Sequence, residues 1–355
     1  MIHRSIFVNR YQRLGLLIAL QWLCLVSPSL AQVTPEPPIE SEYYRQAVEK
    51  FGPASKVVWG EPGGNSLDRW KPRSLIEVQG VVVAWESDQL VVVKPGANGT
   101  SSYPGDYVVG IEPNWKAPAY AKVHELFLGH QFREVLQQGQ AALAMNEIPR
   151  WQQRVVVAEM IDSAVALGQY AVAARIFKIL AQDTSPELLL SRIPLPWSDE
   201  LAQPTPALIQ ESLAGLENKS TAMQVLGATW LLATEHRLVA IEKLKSIASS
   251  GDSLMADYAK TQLWRLAPSE EVFSTNFGNW TSLRDALPVA AQAGPTMLLA
   301  NRLDQAGQTK LALAEWLRIT SLHEDRYDLR VQALQRAVEA AKKLGDKELA
   351  ARLSK

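Results

Sequence analysis

The chain has 355 residues, 47% hydrophobic and 21% charged, with 36 Lys and Arg against 37 Asp and Glu and a single cysteine. That is ordinary globular composition with ample material for a core. The balanced charge, without any basic block, argues against nucleic acid and anionic lipid as partners, and one cysteine excludes a disulfide framework.

The first element is a leader. "MIHRSIFVNRYQR" is basic and holds no acid, Leu14–Val26 is an apolar run, and Ser29-Leu30-Ala31 gives a small–x–small end. Together they predict a secretory signal peptide over residues 1–31, cleaved after Ala31. The apolar run is short of the roughly 20 residues that a spanning helix needs. Cys24 leaves with the leader, so the mature chain has no thiol for catalysis or metal, and losing Arg4, Arg10 and Arg13 tips the balance acidic. The expectation is an exported protein, periplasmic or extracellular, with no membrane span after cleavage. Its Asn-x-Ser/Thr sites, Asn98, Asn218 and Asn279, matter only in a eukaryotic secretory route.

Residues 32–55 begin with a Pro- and Glu-rich linker, Val33–Glu42, and Tyr43–Phe51 predicts one short helix. Residues 56–113 change texture. Lys56–Trp59, Ser74–Glu86, Asp88–Gly96 and Tyr107–Pro113 are β-branched runs separated by turn-rich loops, one with the adjacent Gly63-Gly64 and a tight turn near Ser87-Asp88. Gly80 and Gly110, inside strand patterns, predict bulges or sharp bends. Four or five short strands in this span predict a small β module, an SH3-like curled sheet or barrel.

Residues 114–355 have helical period, and a motif recurs in them. Gly168, Tyr170, Ala173, Phe177 and Leu180 match Gly307, Thr309, Ala312, Trp316 and Ile319, and then Gly345, Lys347 and Ala350. Looser copies start at His130 and Glu235. The glycine ends one helix in a left-handed turn, which it accepts at no steric cost. The residue five later lets a second helix cross closely, and the bulky ones fill the gap to the next hairpin. These residues resemble the tetratricopeptide repeat, and credible units fall at Gln152–Asp183, Pro295–Glu324 and Leu329–Lys355. Thr221–Ser249 equally fits a HEAT-like pair. The overall style resembles exported bacterial repeat proteins of the planctomycete type. The fold class expected is therefore mainly α, an array of α–α hairpins following the β module. Ser185–Pro206, with five prolines, and Ala267–Ser282 interrupt the array as loops.

Signals for chemistry are few. His124 and His130 in "HELFLGH" are six apart, which puts them on different faces of a helix, where a zinc pair needs a spacing of four. "SLHEDRYD" (Ser321–Asp328) gathers a histidine and three acids, and Asp325 or Asp328 is expected to cap the last hairpin's first helix. Asp199-Glu200 and Glu270-Glu271 sit at helix starts, where acids suit the dipole. Trp151, Trp230, Trp264 and Trp316 are expected to fill the core. No catalytic residue, metal site or cofactor is expected.

The leading functional expectation is a non-enzymatic scaffold whose helical-repeat groove takes a protein or peptide. The tetratricopeptide resemblance implies Tyr120, His124, Asp162, Asn301, Asp304, Gln305, Gln335 and Glu339 as groove-facing residues. The alternatives are an envelope ligand-binding or sensor module that uses the β domain, and an extracytoplasmic hydrolase.

Overall fold

The computed structural model describes residues 41–61, 74–145, 148–182, 184–197, 203–251, 253–268 and 276–354. The leader with Cys24, most of the linker, Gly63-Gly64, Asp199-Glu200 and Glu270-Glu271 lie outside them. Glu40–Lys355 forms one compact unit.

Helix α1 (Glu42–Phe51) starts where the Ser41 hydroxyl accepts the Tyr44 N–H, and it stops at Gly52, whose φ is 97°. It packs against the β module, which is a five-stranded antiparallel sheet in the order β4-β3-β2-β1-β5. The strands are β1 (Ser55–Gly60), β2 (Leu75–Trp85), β3 (Leu90–Val93), β4 (Ser101–Tyr103) and β5 (Val108–Glu112), with a single 3-10 turn, Gly105–Tyr107, before the last. The long strand β2 changes partner midway. Leu75–Gly80 pair with β1, and Val81–Trp85 pair with β3. Gly80 sits at the change because no side chain fits there: a Cβ would meet Val92 Cγ1 at 2.5 Å and the Val93 carbonyl oxygen at 2.6 Å. The ladder shifts register beside Val83 and again beside Val109, next to Gly110. Bulges of this kind bend and twist a sheet, and the result is the SH3-like curled sheet.

The helical part follows. Its helices are α2 (Pro118–Leu128), α3 (Phe132–Leu143), α4 (Arg150–Ala166), α5 (Tyr170–Ala181), α6 (Glu187–Leu190), α7 (Pro206–Leu216), α8 (Thr221–Leu231), α9 (Arg237–Ala248) and α10 (Leu254–Leu263). Then come α11 (Phe277–Ala286), α12 (Val289–Gln305), α13 (Thr309–Leu322), α14 (Tyr327–Lys343) and α15 (Lys347–Leu353). Consecutive helices pack in pairs.

The recurring motif has a common physical form. Gly168, Gly307 and Gly345 take φ of 70°, 76° and 80°, and His130 takes 56°. After each, the next N–H reaches back five residues: Gln131 to Leu126 O, Gln169 to Ala164 O, Gln308 to Leu303 O, and Asp346 to Ala341 O, all between 2.8 and 2.9 Å. This is the Schellman helix stop. The copy at Glu235 has no such left-handed residue, although Ala240, Leu244 and Ile247 are buried as the motif requires. Val135, Ala173, Ala312 and Ala350, five residues after each turn, are buried, as are Phe177 and Trp316.

The array curls until α14 packs against α4. Tyr327 at the start of α14 closes the seam, its ring 4.5 Å from His130 and 5.2 Å from Phe132. The first interruption does not lie outside this curve. From Ser185 to Trp197 the chain is mostly buried, which is unusual for a segment largely without regular structure. It touches the first helices of the pairs in turn. Trp230 of α8 donates to Pro194 O at 2.9 Å, and Tyr258 of α10 to Ser191 O at 3.4 Å. Trp197 lies against Gly294 of α12, where a Cβ would come within 2.1 Å of its ring. Pro194 and Pro196 bring no N–H that would need a partner. The inner face expected to be open is thus covered at α8, α10 and α12 by the chain's own strap, and α4, α8 and α12 are buried nearly all round.

The second interruption contains α11, whose Trp280 stacks on Trp264, ring centres 4.9 Å apart. Trp151, Trp230, Trp264 and Trp316 are all buried. Trp151 also donates to Val82 O at 3.0 Å, and Arg154 to Trp85 O at 2.6 Å and Glu86 at 2.7 Å. These bonds dock the β module onto α4.

Candidate functional site

A cavity of about 750 Å³ opens where the β module, the strap and the closing seam meet. Small-molecule sites span roughly 300–1,000 Å³. One wall is β5 with the 3-10 turn before it, and the facing wall is α4. On α4, Val155, Ala158, Glu159 and Asp162 line the cavity; their spacing of three, four and seven puts them on one helical stripe. His124 and Phe127 come from α2, Glu187 to Leu189 from α6, Ser191 and Arg192 from the strap, Val289 from α12, Leu322 from the end of α13, and His323 and Asp325 from the α13–α14 connection.

The mouth is apolar. Leu75 is 60% exposed, Val109 44%, Val289 54% and Leu322 56%, and all four line the cavity. Val109 owes its outward turn to the bulge beside Gly110. Isolated exposed apolar residues need no explanation, but a group of them around one opening marks a binding surface.

The interior is charged. His124 Nδ1 lies 2.5 Å from Glu159 Oε1, and the ring centre is 5.4 Å from that of Trp115. The bond to Glu159 raises the histidine above its usual value, while burial raises Glu159 against the pull of that histidine. A histidine oriented by a carboxylate in this way can take up and release a proton at its other nitrogen. Glu159 Oε2, buried, has no hydrogen-bond partner.

The second group is a clasp. Arg192 of the strap donates to Asp162 Oδ2 at 2.9 Å and to Asp325 Oδ2 at 2.7 Å. Its neighbour Arg326 is buried and donates to Ser191 O, and its guanidinium faces Asp328 at 3.8 Å. Three acids thus share two guanidinium groups. Burial pushes Asp162 up to about 6 against Arg192 and Arg326, with Asp328 and Asp325 adding to the rise. Burial also works to raise Asp325, but the two arginines outweigh it and hold that carboxyl below its ordinary range. Burial drives His323 down to about 4.

Of the eight groove-facing residues expected, His124 and Asp162 line this cavity. Tyr120 is fully buried in the core beside α3 and α4. Asn301 accepts from Trp316, Asp304 from Thr309 and Lys343, Gln305 from Arg302, and Glu339 from Arg336. Gln335 is exposed. Asp325 and Asp328 do not cap α14, whose cap position is Arg326 without a side-chain bond; Asp325 instead accepts from Arg192, and Asp328 faces Arg326. Glu159 and Arg192 carried no separable sequence signal, whereas His323 stood out as the histidine of the Ser321–Asp328 cluster. Glu159 lies in a helix of uniform appearance, and Arg192 in a segment that reads as a surface loop.

Compared with family models, curated proteins and solved structures, the chain matches none. Among the described residues, no three His, Cys, Asp or Glu side chains converge as a metal site, and no helix is long and apolar enough to cross a membrane.

Proposed function

We propose that this is a binding protein, not an enzyme, and that it holds a small, largely apolar ligand in the cavity between the β module and the curled array. The observation that carries this is that exposed Leu75, Val109, Val289 and Leu322 all line one cavity of about 750 Å³. The β module supplies one wall, as the ligand-binding alternative requires. The inter-helix groove reading has less behind it, because the strap fills the inner face of the first helices. The paired helices are of tetratricopeptide style in this reading, and the array serves as a rigid frame. The basic and apolar start of the sequence supports a reading in which the work is done outside the cytoplasm.

A neutral apolar fluorophore, N-phenyl-1-naphthylamine, tests the reading. It is expected to brighten on binding the purified chain, and the double variant Val289→Asn/Leu322→Asn is expected to weaken it at least about tenfold. Both side chains are exposed, so the melting temperature should shift by no more than a degree or two. Unchanged dye affinity in the variant would contradict the proposal.

A further inference from the structure

Resting on that reading, we infer that the ligand is a short, uncharged peptide, held extended as an added strand on the free edge of β5. The sheet order puts β5 at one end, with β1 on one side and no strand on the other. Tyr107, Val108, Val109, Gly110 and Ile111, consecutive in the chain, all line the cavity. Side chains alternate between the two faces of a strand, so a face would offer the cavity every second residue. An unbroken run meets it along the edge. Of β1, the next strand in, the terminal Gly60 alone reaches the cavity. Among the described residues, the backbone of residues 109–111 makes no hydrogen bond beyond its pairing with β1.

A strand edge is a row of N–H and C=O groups that pairs with another extended chain, and exposed edges are commonly blunted by charge or proline. Residues 108–111, Val-Val-Gly-Ile, carry neither. Their protection is position, since a space of about 750 Å³ admits a short segment and not another sheet. In strand addition the backbone supplies affinity and the flanking walls choose the side chains. Here the walls are Val155 and Ala158 of α4, with Val289 and Leu322 at the mouth, which suit apolar residues. The charged groups call for no charge in the ligand: Arg192 is engaged by Asp162 and Asp325, His124 by Glu159, and Asp106 by the Glu187 N–H. β5 has five residues, and a partner of about that length spans ~17 Å.

The experiment is displacement of N-phenyl-1-naphthylamine from the full chain by the blocked peptide acetyl-Ser-Val-Thr-Val-Ser-amide. Two further forms keep its side chains but carry backbone N-methyl groups, on the first, third and fifth residues or on the second and fourth. Alternate N–H groups of a strand point to opposite edges, so one form should displace the dye within about threefold of the parent peptide and the other at least about tenfold more weakly. In hydrogen exchange the parent peptide should slow alternate amides of β5 at least about tenfold and leave those of β4, the sheet's other edge, unchanged. If the dye does not bind, the cavity reading itself fails. A bound dye that the peptide does not displace overturns only the strand inference. So does equal behaviour of the two methylated forms, or protection that falls on β4.

Discussion

Asp162 and His323 answer the same buried surroundings in the same way: each stays neutral over a wider pH range than it would in water. For Asp162 the folded value, about 6, exceeds the ordinary 3.8. The folded state then binds the proton more tightly, and stability from this group is lost as pH rises from about 4 through about 6. For His323 the folded value, about 4, lies below 6.5. Its contribution is present above 6.5 and is lost as pH falls toward 4. The two slopes oppose each other across one window. Relative to wild type, Asp162→Asn should therefore make stability climb more steeply between pH 4 and 6, and His323→Gln should make it climb less. Each group can change the slope by up to about 1.4 kcal/mol per pH unit. Urea unfolding at half-unit intervals measures this; a shift of the same sign in both variants would refute the assignment. His124 and Asp162 were legible in the sequence as polar residues on helix faces. What they do was not, because Glu159 and Arg192 reach them only through the fold.

Glycine turns made the helical elements readable. A residue in the left-handed region leaves a mark in sequence, since glycine takes it without a Cβ clash, and the buried small residue follows at a fixed distance. The 38-residue step from Gly307 to Gly345 repeats from His130 to Gly168, and the structure gives both pairs one hydrogen-bond pattern. Even His130, a non-glycine, adopts the turn its place in the repeat demands. The strap was not readable. Prolines in series normally mark a surface connection, and only tertiary partners such as Trp230 and Tyr258 make burial tolerable. Its seat on Gly294 gives a sharp prediction. Gly294→Ala should cost about 1–3 kcal/mol through overpacking against Trp197. The same change made in a Trp197→Leu background should cost clearly less, because the two sites are coupled. A Gly294→Ala variant with an unchanged urea midpoint would show that the strap does not occupy the inner face.

On the scale of the whole molecule, the β module followed by paired helices was visible from the change of period at the Trp115 junction. Closure was not, for contacts between α4 and α14 join segments about half the chain length apart and no local pattern encodes them. Closure is nevertheless what makes the site: Leu322, His323 and Asp325 reach the wall of β5 and α4 only because the last hairpins return to the first ones. The charged clasp of Arg192, Asp162 and Asp325 ties the α13–α14 connection, the strap and α4 at that point. The array thus works as a frame around one cavity. The most direct measurement is a methyl-resolved NMR titration of the full chain with decanol. Shifts are expected to concentrate on Val109, Val155, Ala158, Val289 and Leu322, with the exposed Leu238 and Val239 of α9 unmoved. Shifts centred on Leu238 and Val239, or none around the cavity, would contradict the account.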